Sequence, residues 1–150
     1  MGDAYTYIRI LEAEGISKIS EDATINSDYI LSQLKDDYDL PYDRLCIHEV
    51  VFSLKNLKSD YGISALDVSK RLIDYNIHPP TIYFPQIVEE ALMVEPTETE
   101  SKETLDNFID VMRIIISEAK GSPDILHNTP NTRLDEAKVA RVPELRWRDH

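Results

Sequence analysis

Apolar residues recur at helical spacing in two stretches near the start of the chain. The first stretch, residues 3–15, ends at Gly15, and glycine is the usual residue just beyond a helix end. The second stretch, residues 17–35, keeps Ile30 and Leu34 near one face before the acidic segment 36–41 interrupts it. The pattern therefore predicts two consecutive helices that are separated at Gly15.

Three stretches are rich in β-branched and aromatic side chains, which are typical of strands. Residues 45–54 form the longest of these and are expected to be a mostly buried strand. Residues 81–84 and 91–94 are shorter, and the segment between them is long enough for a turn. We expect these two short strands to pair in an antiparallel manner.

Two helix starts show the pattern of a capping box, in which a hydroxyl residue is followed three positions later by an acid. Ser64 and Asp67 form the first, and the helix that they open is expected to stop before the prolines at 79 and 80. Thr97 and Glu100 form the second. Each pair predicts the first turn of a helix.

The clearest helical period in the chain follows residue 100. Its apolar positions predict one buried face over about four turns, formed by Leu105, Phe108, Ile109, Met112, Ile115, Ile116 and Ala119. The helix is expected to end at Gly121. Residues 122–150 show no such period, apart from a short helix predicted around 135–141.

The order of these elements predicts an α+β fold, with a three-stranded, mainly antiparallel sheet and helices packed on it. We expect residues 1–121 to form one small domain that begins with a helical segment, residues 1–36. Residues 122–150 are expected to be an irregular C-terminal extension. A length of 150 residues agrees with a single domain.

Charge and cysteine content exclude several classes of function. The net charge of −12 disfavours binding to nucleic acid, and no apolar run is long enough to span a membrane. The single cysteine, Cys46, excludes an internal disulfide and fits a reducing cytoplasm. The segment 133–150 is arginine-rich, so it is expected either to dock on the acidic body or a partner, or to be solvated.

The sequence offers few candidates for catalytic, phosphate-binding or metal-binding residues. Four glycines leave no room for a phosphate-binding loop, and the histidines are too far apart to predict a metal site. His48 follows Cys46 by two residues, so both would share one face of the predicted strand. A Cys/His nucleophile fits this spacing, and so does an inert buried thiol beside a structural histidine.

Residues 77–85 combine a histidine, a hydroxyl group and two aromatic rings with three prolines. Prolines fix the backbone, so side chains beside them are held in place with little loss of entropy. This helps to present side chains to a ligand or a neighbouring domain. A proline-stiffened strand whose aromatic rings lie in the core explains the pattern equally well.

The same segment, His78-Pro-Pro-Thr-Ile-Tyr-Phe-Pro85, together with residues 89–106, resembles subunit 2 of the decarboxylating glycine dehydrogenases, the P-protein of the glycine cleavage system. Shorter stretches agree in order and spacing, namely residues 4–9, 40–42, 46–49, 53–57, 126–128, 133–137 and 145–147. The resemblance spans essentially the whole chain.

The resemblance implies the small C-terminal domain of a fold-type-I pyridoxal-phosphate enzyme, an oxidoreductase. Such an enzyme decarboxylates glycine and passes the aminomethyl group to the lipoyl arm of the H-protein. P-protein subunit 1 is the expected partner in a heterotetramer. Residues 1–36 would lead in from a large domain outside this chain, which would hold pyridoxal phosphate and supply the Schiff-base lysine. The chain alone is therefore expected to be inactive.

The chain departs from the family pattern in two ways. No lysine has the Ser-x-His-Lys setting of the cofactor lysine, and the family's Ala-Pro-His occurs here as Thr129-Pro130-Asn131. We therefore predict no catalytic residue in this chain and assign no cofactor-binding residue. His78 and Thr81 are the candidates to line the cleft that forms between domains. His78 would donate a hydrogen bond or carry a proton, and Thr81 would orient it.

Two other interpretations of the sequence stay open. The chain could be a free-standing domain whose acidic surface binds a protein. It could also be the small domain of another fold-type-I pyridoxal-phosphate enzyme, such as an aminotransferase.

Overall fold

A computed structural model of the chain describes residues 2–130 and residue 141. In that part of the chain the elements are α1 (Gly2–Leu34), β1 (Val50–Ser53), α2 (Lys55–Tyr61), α3 (Ala65–Asp74), β2 (Thr81–Ile82), β3 (Ala91–Val94), α4 (Lys102–Gly121) and α5 (Asp124–His127). The helix expected around 135–141 lies, apart from Arg141, outside the described residues.

The strands form one antiparallel sheet in the order β1-β3-β2. Val50 of β1 lies opposite Val94 of β3, and Thr81 of β2 lies opposite Met93. The predicted α+β fold with a three-stranded sheet is confirmed, and every strand pair is antiparallel. The pairing expected between 81–84 and 91–94 is also confirmed, although β2 is shorter than predicted.

Both faces of the sheet are covered, but not equally. Phe52 and Leu92 point toward the helices and belong to the main core, whereas Val51 and Met93 point the other way. The second face is covered by a small cluster that includes Val88 from the turn before β3. Because strand side chains alternate, the helix-covered face and the turn-covered face share the same short strands.

The helix α4 is packed along the main core, and every residue of its predicted apolar face is buried. Its first turn differs from the prediction. Ser101 is the N-cap, and its hydroxyl accepts a hydrogen bond from the Thr104 amide. The capping box expected at Thr97 and Glu100 is wrong, because the Thr97 carbonyl accepts from the Glu100 amide and from the Asn26 side chain in a turn before the helix.

The capping box at the start of α3 is confirmed. The Ser64 hydroxyl accepts from the Asp67 amide, and the Asp67 carboxylate accepts from the Ser64 amide at 2.9 Å. Two amides that have no partner inside the helix are thereby satisfied.

The two helices expected at the start of the chain form α1, which is interrupted at Glu12 (φ 54°, ψ −169°). The break predicted at Gly15 is therefore misplaced. A Cβ at Gly15 would lie 3.0 Å from the Leu11 Cβ, so close packing accounts for this glycine. Beyond the break, Ile30 and Leu34 are buried as predicted.

The segment before β1 is not a strand, contrary to the prediction for residues 45–54. The Cys46 amide donates to the Asp28 carboxylate at 2.8 Å, and the Ile47 carbonyl accepts from the Thr24 hydroxyl. These backbone groups bond to side chains of α1, so they are not available to a sheet partner. Strand pairing consequently begins only at Val50.

Two helices were not predicted from the sequence. In α2 only Leu57 is buried, so no apolar period marks the helix, and Gly62 ends it in the left-handed conformation (φ 74°). The other, α5, lies in the segment expected to be irregular, and its Leu126 is 1% exposed within the main core. None of the described helices is long and apolar enough to cross a membrane.

Candidate functional site

A pocket of about 440 Å³ opens between the end of α3, the end of β3 and the first turns of α4. The chain that links α3 to β2 forms one wall, and both sequence-predicted candidates, His78 and Thr81, line it. Both residues are exposed to solvent. Within the described part of the chain, neither side chain makes a hydrogen bond.

The backbone fixes the position of this wall. Asn76 follows Tyr75, the C-cap of α3, and has φ 59°, a conformation that asparagine adopts more readily than most residues. The Ile77 amide then donates to the Leu72 carbonyl at 2.9 Å. Thr81 lies in β2 opposite Met93. His78 is therefore held between a helix end and a paired strand.

The other polar groups of the pocket come from segments far apart in sequence, and the sequence analysis did not identify them. They are Asn76, Glu95, Glu100, Thr104 and Asn107. Glu100, Thr104 and Asn107 follow a helical spacing beside the buried face of α4, which is the one signal that the sequence offered. The remaining groups converge only because the sheet and α4 pack together.

The floor of the pocket is apolar. Leu105 and Phe108 of α4 and Val94 of β3 are buried and line it, together with Ile30 of α1. A concave apolar floor with a few polar groups at its rim is the usual form of a ligand site.

Lysines near the sheet are engaged in ion pairs. Lys58 pairs with the buried Glu90, and this hydrogen bond raises the pKa of Lys58. Lys55 pairs with Glu89 at 3.0 Å. A lysine held in its charged form is a poor nucleophile.

Cys46 and His48 lie beside a second pocket of about 300 Å³. Burial and the nearby Asp28 raise the pKa of Cys46 to about 11, so the sulfur is a neutral thiol at physiological pH. His48 is 59% exposed. The predicted shared strand face of these two residues is wrong, because the segment that holds them is not a strand.

The pairing of β1 with β3 brings together three side chains of types that can ligate a metal, which the sequence pattern did not predict. His48 Nε2 lies 3.8 Å from a carboxylate oxygen of Glu49 and 4.0 Å from one of Glu95. All three side chains are at least two-fifths exposed. These distances place the imidazole within ion-pairing range of both carboxylates.

A further polar cluster joins α3 to α4. The Arg71 guanidinium donates to both oxygens of Glu118, at 2.9 and 2.6 Å, and the Tyr75 hydroxyl donates to the same carboxylate. Hydrogen bonding from Arg71 lowers the pKa of Glu118. Both partners of the ion pair are more than four-fifths buried. This cluster lies outside the pocket and fixes one helix against the other.

A comparison with known protein families identifies the family of this chain. Residues 19–138 match the model of the family described as glycine dehydrogenase, C-terminal domain. The chain belongs to this glycine dehydrogenase family. The resemblance seen in the sequence is thereby confirmed.

Relatives in this glycine dehydrogenase family are similar along nearly the whole chain. The chain is 50% identical to a protein of Listeria innocua and 53% identical to one of Oceanobacillus iheyensis, both named probable glycine dehydrogenase (decarboxylating) subunit 2. Each alignment covers 96% of this chain and 30% of the relative. The chain therefore spans less than a third of the length of these relatives.

A solved structure supports the fold of this family member. The crystal structure of glycine decarboxylase (P-protein) of the glycine cleavage system, in inhibitor-bound form, matches 73% of this chain and 24% of its own chain, with a TM-score of 0.58. The sequence identity is 15%, so the likeness concerns the fold alone.

Proposed function

We propose that this chain is the C-terminal part of a subunit that decarboxylates glycine and transfers the aminomethyl group to the lipoyl arm of H-protein. P-protein subunit 1 would complete a heterotetramer in the cytoplasm. The observation that carries the proposal is 50–53% identity, across 96% of the chain, to relatives named glycine dehydrogenase (decarboxylating) subunit 2.

The reaction would need pyridoxal phosphate, which withdraws electrons from the bond that breaks. That cofactor requires a lysine for its carbonyl carbon and donors for its phosphate. The pocket-lining residues include neither lysine nor arginine, so the pocket does not fit the cofactor. The proposal therefore assigns cofactor binding to the part of the subunit that this chain does not cover.

Domain organisation is part of the proposal. Residues 1–121 would form the small domain, residues 1–36 would connect it to the large domain, and residues 122–150 would extend from it. Exposed apolar side chains on the first part of α1 support the connecting role, since Tyr5, Ile8 and Ile10 are 68%, 54% and 75% exposed. Apolar side chains in such numbers are usually covered by another surface.

His78 and Thr81 would face the active-site cleft between the two domains. Their exposure, their position on a pocket and the fixed backbone around them support this role. An imidazole held there would donate a hydrogen bond or carry a proton, and Thr81 would orient it.

Two experiments test the proposal. The isolated chain, mixed with pyridoxal phosphate and reduced with borohydride, should give no stoichiometric adduct at a single lysine. The full-length subunit, combined with subunit 1 and H-protein, should exchange the carboxyl group of glycine with carbon dioxide. A saturable single-site adduct on the isolated chain, or a full-length complex without exchange activity, would refute the proposal.

A further inference from the structure

Large apolar side chains are exposed on two segments, the one before β1 and the one before β3. Leu45, Ile47 and Ile87 are 83%, 78% and 84% exposed, more than any other large apolar residue in the described part of the chain. Phe84, in the same segment as Ile87, is 55% exposed. Single exposed apolar residues are common in proteins, whereas contiguous groups of them mark interaction surfaces.

The second pocket, of about 300 Å³, joins these two segments. Leu45 and Ile47 line it from one side, and Pro85 lines it from the other. Val51 of β1 also lines this pocket, and it packs with Met93 on the turn-covered face of the sheet. The four exposed apolar residues therefore surround a recess at the turn-covered face, and together with this recess they are called the exposed patch.

Hydrogen bonds fix the backbone of both segments. Side chains of α1 bond the Cys46 amide and the Ile47 carbonyl. In the other segment, the Val88 amide donates to the Pro85 carbonyl at 2.9 Å. A surface whose backbone is already ordered loses little conformational entropy when another surface covers it. The exposed patch is therefore suited to docking.

The length of the relatives indicates what covers the exposed patch. The chain spans 30% of the relatives that it matches, and the family model is described as a C-terminal domain. More than two thirds of such a subunit thus precede the part that matches this chain. Two parts of one polypeptide meet at a high effective concentration, which favours their contact over that of separate chains.

The sheet register supports the same direction. Thr81 lies opposite Met93, and Met93 lies opposite Val51. Residues directly opposite each other in an antiparallel sheet project to the same face, so Thr81 shares the turn-covered face with the exposed patch. The residue proposed to face the other domain therefore lies on the side of the sheet where the apolar side chains are exposed.

We propose that the exposed patch is the surface on which the preceding part of the same subunit docks, with an apolar side chain of that part in the 300 Å³ pocket. This contact is separate from the connection through residues 1–36. The inference rests on the proposed function in one respect, namely that this chain is the C-terminal part of a longer subunit.

Photocrosslinking of the full-length subunit tests the proposal. The photoreactive residue p-benzoylphenylalanine replaces Leu45 or Ile87, and mass spectrometry identifies the peptides that it joins. Cross-links within one subunit are expected, to peptides that precede this chain. Ile114 is the matched control position, since it is an exposed apolar residue of α4 on the helix side of the sheet. The same replacement there should give no such cross-link.

Thiol labelling covers the case in which the bulky photoreactive group disrupts the contact. In the native full-length subunit, Ile87→Cys should react with a maleimide at least about tenfold more slowly than Ile114→Cys, because reaction at position 87 requires the contact to open. Peptide mass spectrometry separates these thiols from Cys46.

Cross-links to residues 131–150, to subunit 1 or to a second copy would overturn the proposal, and so would equal labelling rates at positions 87 and 114. Neither readout depends on turnover. A full-length complex that gives the expected cross-links and labelling rates but no glycine exchange would therefore refute the proposed activity alone.

Discussion

Polar side chains are concentrated at the start of α3 and at the pocket beyond its other end, but their surroundings differ. At the start of α3, Asp67 is 1% exposed and accepts from the amide and hydroxyl of Ser64, at 2.9 and 2.6 Å. Glu90 is 6% exposed, accepts from the Ala65 amide at 2.8 Å and pairs with Lys58. Each carboxylate there is bonded and withdrawn from water.

The polar side chains at the pocket are exposed to water, in contrast to those at the start of α3. His78, Thr81 and Glu100 are exposed, and within the described residues their side chains make no hydrogen bond. A buried polar group must be bonded, whereas an exposed group beside an apolar floor is free to bond a ligand. The first cluster therefore stabilises the fold, and the second is available for function. Substitutions in the two regions should separate these roles.

The largest effect is expected at Asp67. Asp67→Ala removes the carboxylate oxygen that accepts from both Ser64 groups and should lower the free energy of unfolding by about 2–4 kcal/mol. Urea denaturation followed by circular dichroism measures this. Asp67→Asn keeps one acceptor and should cost less. A loss below about 0.5 kcal/mol for Asp67→Ala would mean that this cluster does not stabilise the fold.

The Arg71–Glu118 ion pair should behave as a second stabilising cluster, with a defined pH dependence. Because Arg71 holds the pKa of Glu118 below its ordinary value of 4.5, the pair stabilises the fold above that pH. The stabilisation is lost as the pH falls through the lowered pKa. Glu118→Gln should cost about 1.5–3 kcal/mol at pH 7 and progressively less below pH 4.5.

The control for the ion pair is Asp110→Asn, an exposed acid on the same helix. Chemical denaturation at several pH values compares the two variants. A deficit of Glu118→Gln that does not shrink in acid would show that packing, and not charge, is responsible.

Substitution of a pocket residue should reduce activity and leave stability nearly unchanged, in contrast to substitutions in the two stabilising clusters. His78→Ala in the full-length enzyme should reduce glycine–carbon dioxide exchange by at least about tenfold, below the hundredfold typical of a positioned acid–base group. Its melting temperature should change little, because the side chain is exposed. If exchange persists while the melting temperature falls, His78 is a structural residue and the division between the two regions fails.

The smallest effect concerns the first turn of α4, which borders the pocket. Ser101→Ala removes the N-cap and should cost about 1 kcal/mol. Thr97→Ala should cost less than about 0.5 kcal/mol, because Thr97 lies before the helix. Urea denaturation of the two variants compares them directly. A larger loss at Thr97 would place the stabilising cap where the sequence pattern predicted it.

The candidate site was predicted from the sequence only in part. His78 and Thr81 stand in a proline-rich segment with an unusual composition, and the structure places both on the pocket. Glu95 has no local signal, and Glu100 and Asn107 show only a helical spacing. They meet because β3 and α4 bury side chains in the same core. The sequence of either segment, taken alone, does not indicate a contact with the other.

The sequence by itself determined the elements whose signal is local and periodic. These are the buried face of α4, the capping box at Ser64 and Asp67, and the β3 strand at 91–94, since each depends on side chains a few positions apart. The antiparallel α+β arrangement follows from their order.

Only the tertiary structure decided where backbone groups find partners outside their own segment. Residues 45–49 have strand-like composition, yet Asp28 and Thr24 of α1 bond their backbone, so the strand begins at Val50. The N-cap of α4 is Ser101 and not the predicted Thr97, because the Asn26 side chain bonds the Thr97 carbonyl in the turn before the helix. A backbone group that a side chain from a distant segment already bonds is not available for pairing within its own segment, and such a bond outweighs local propensity.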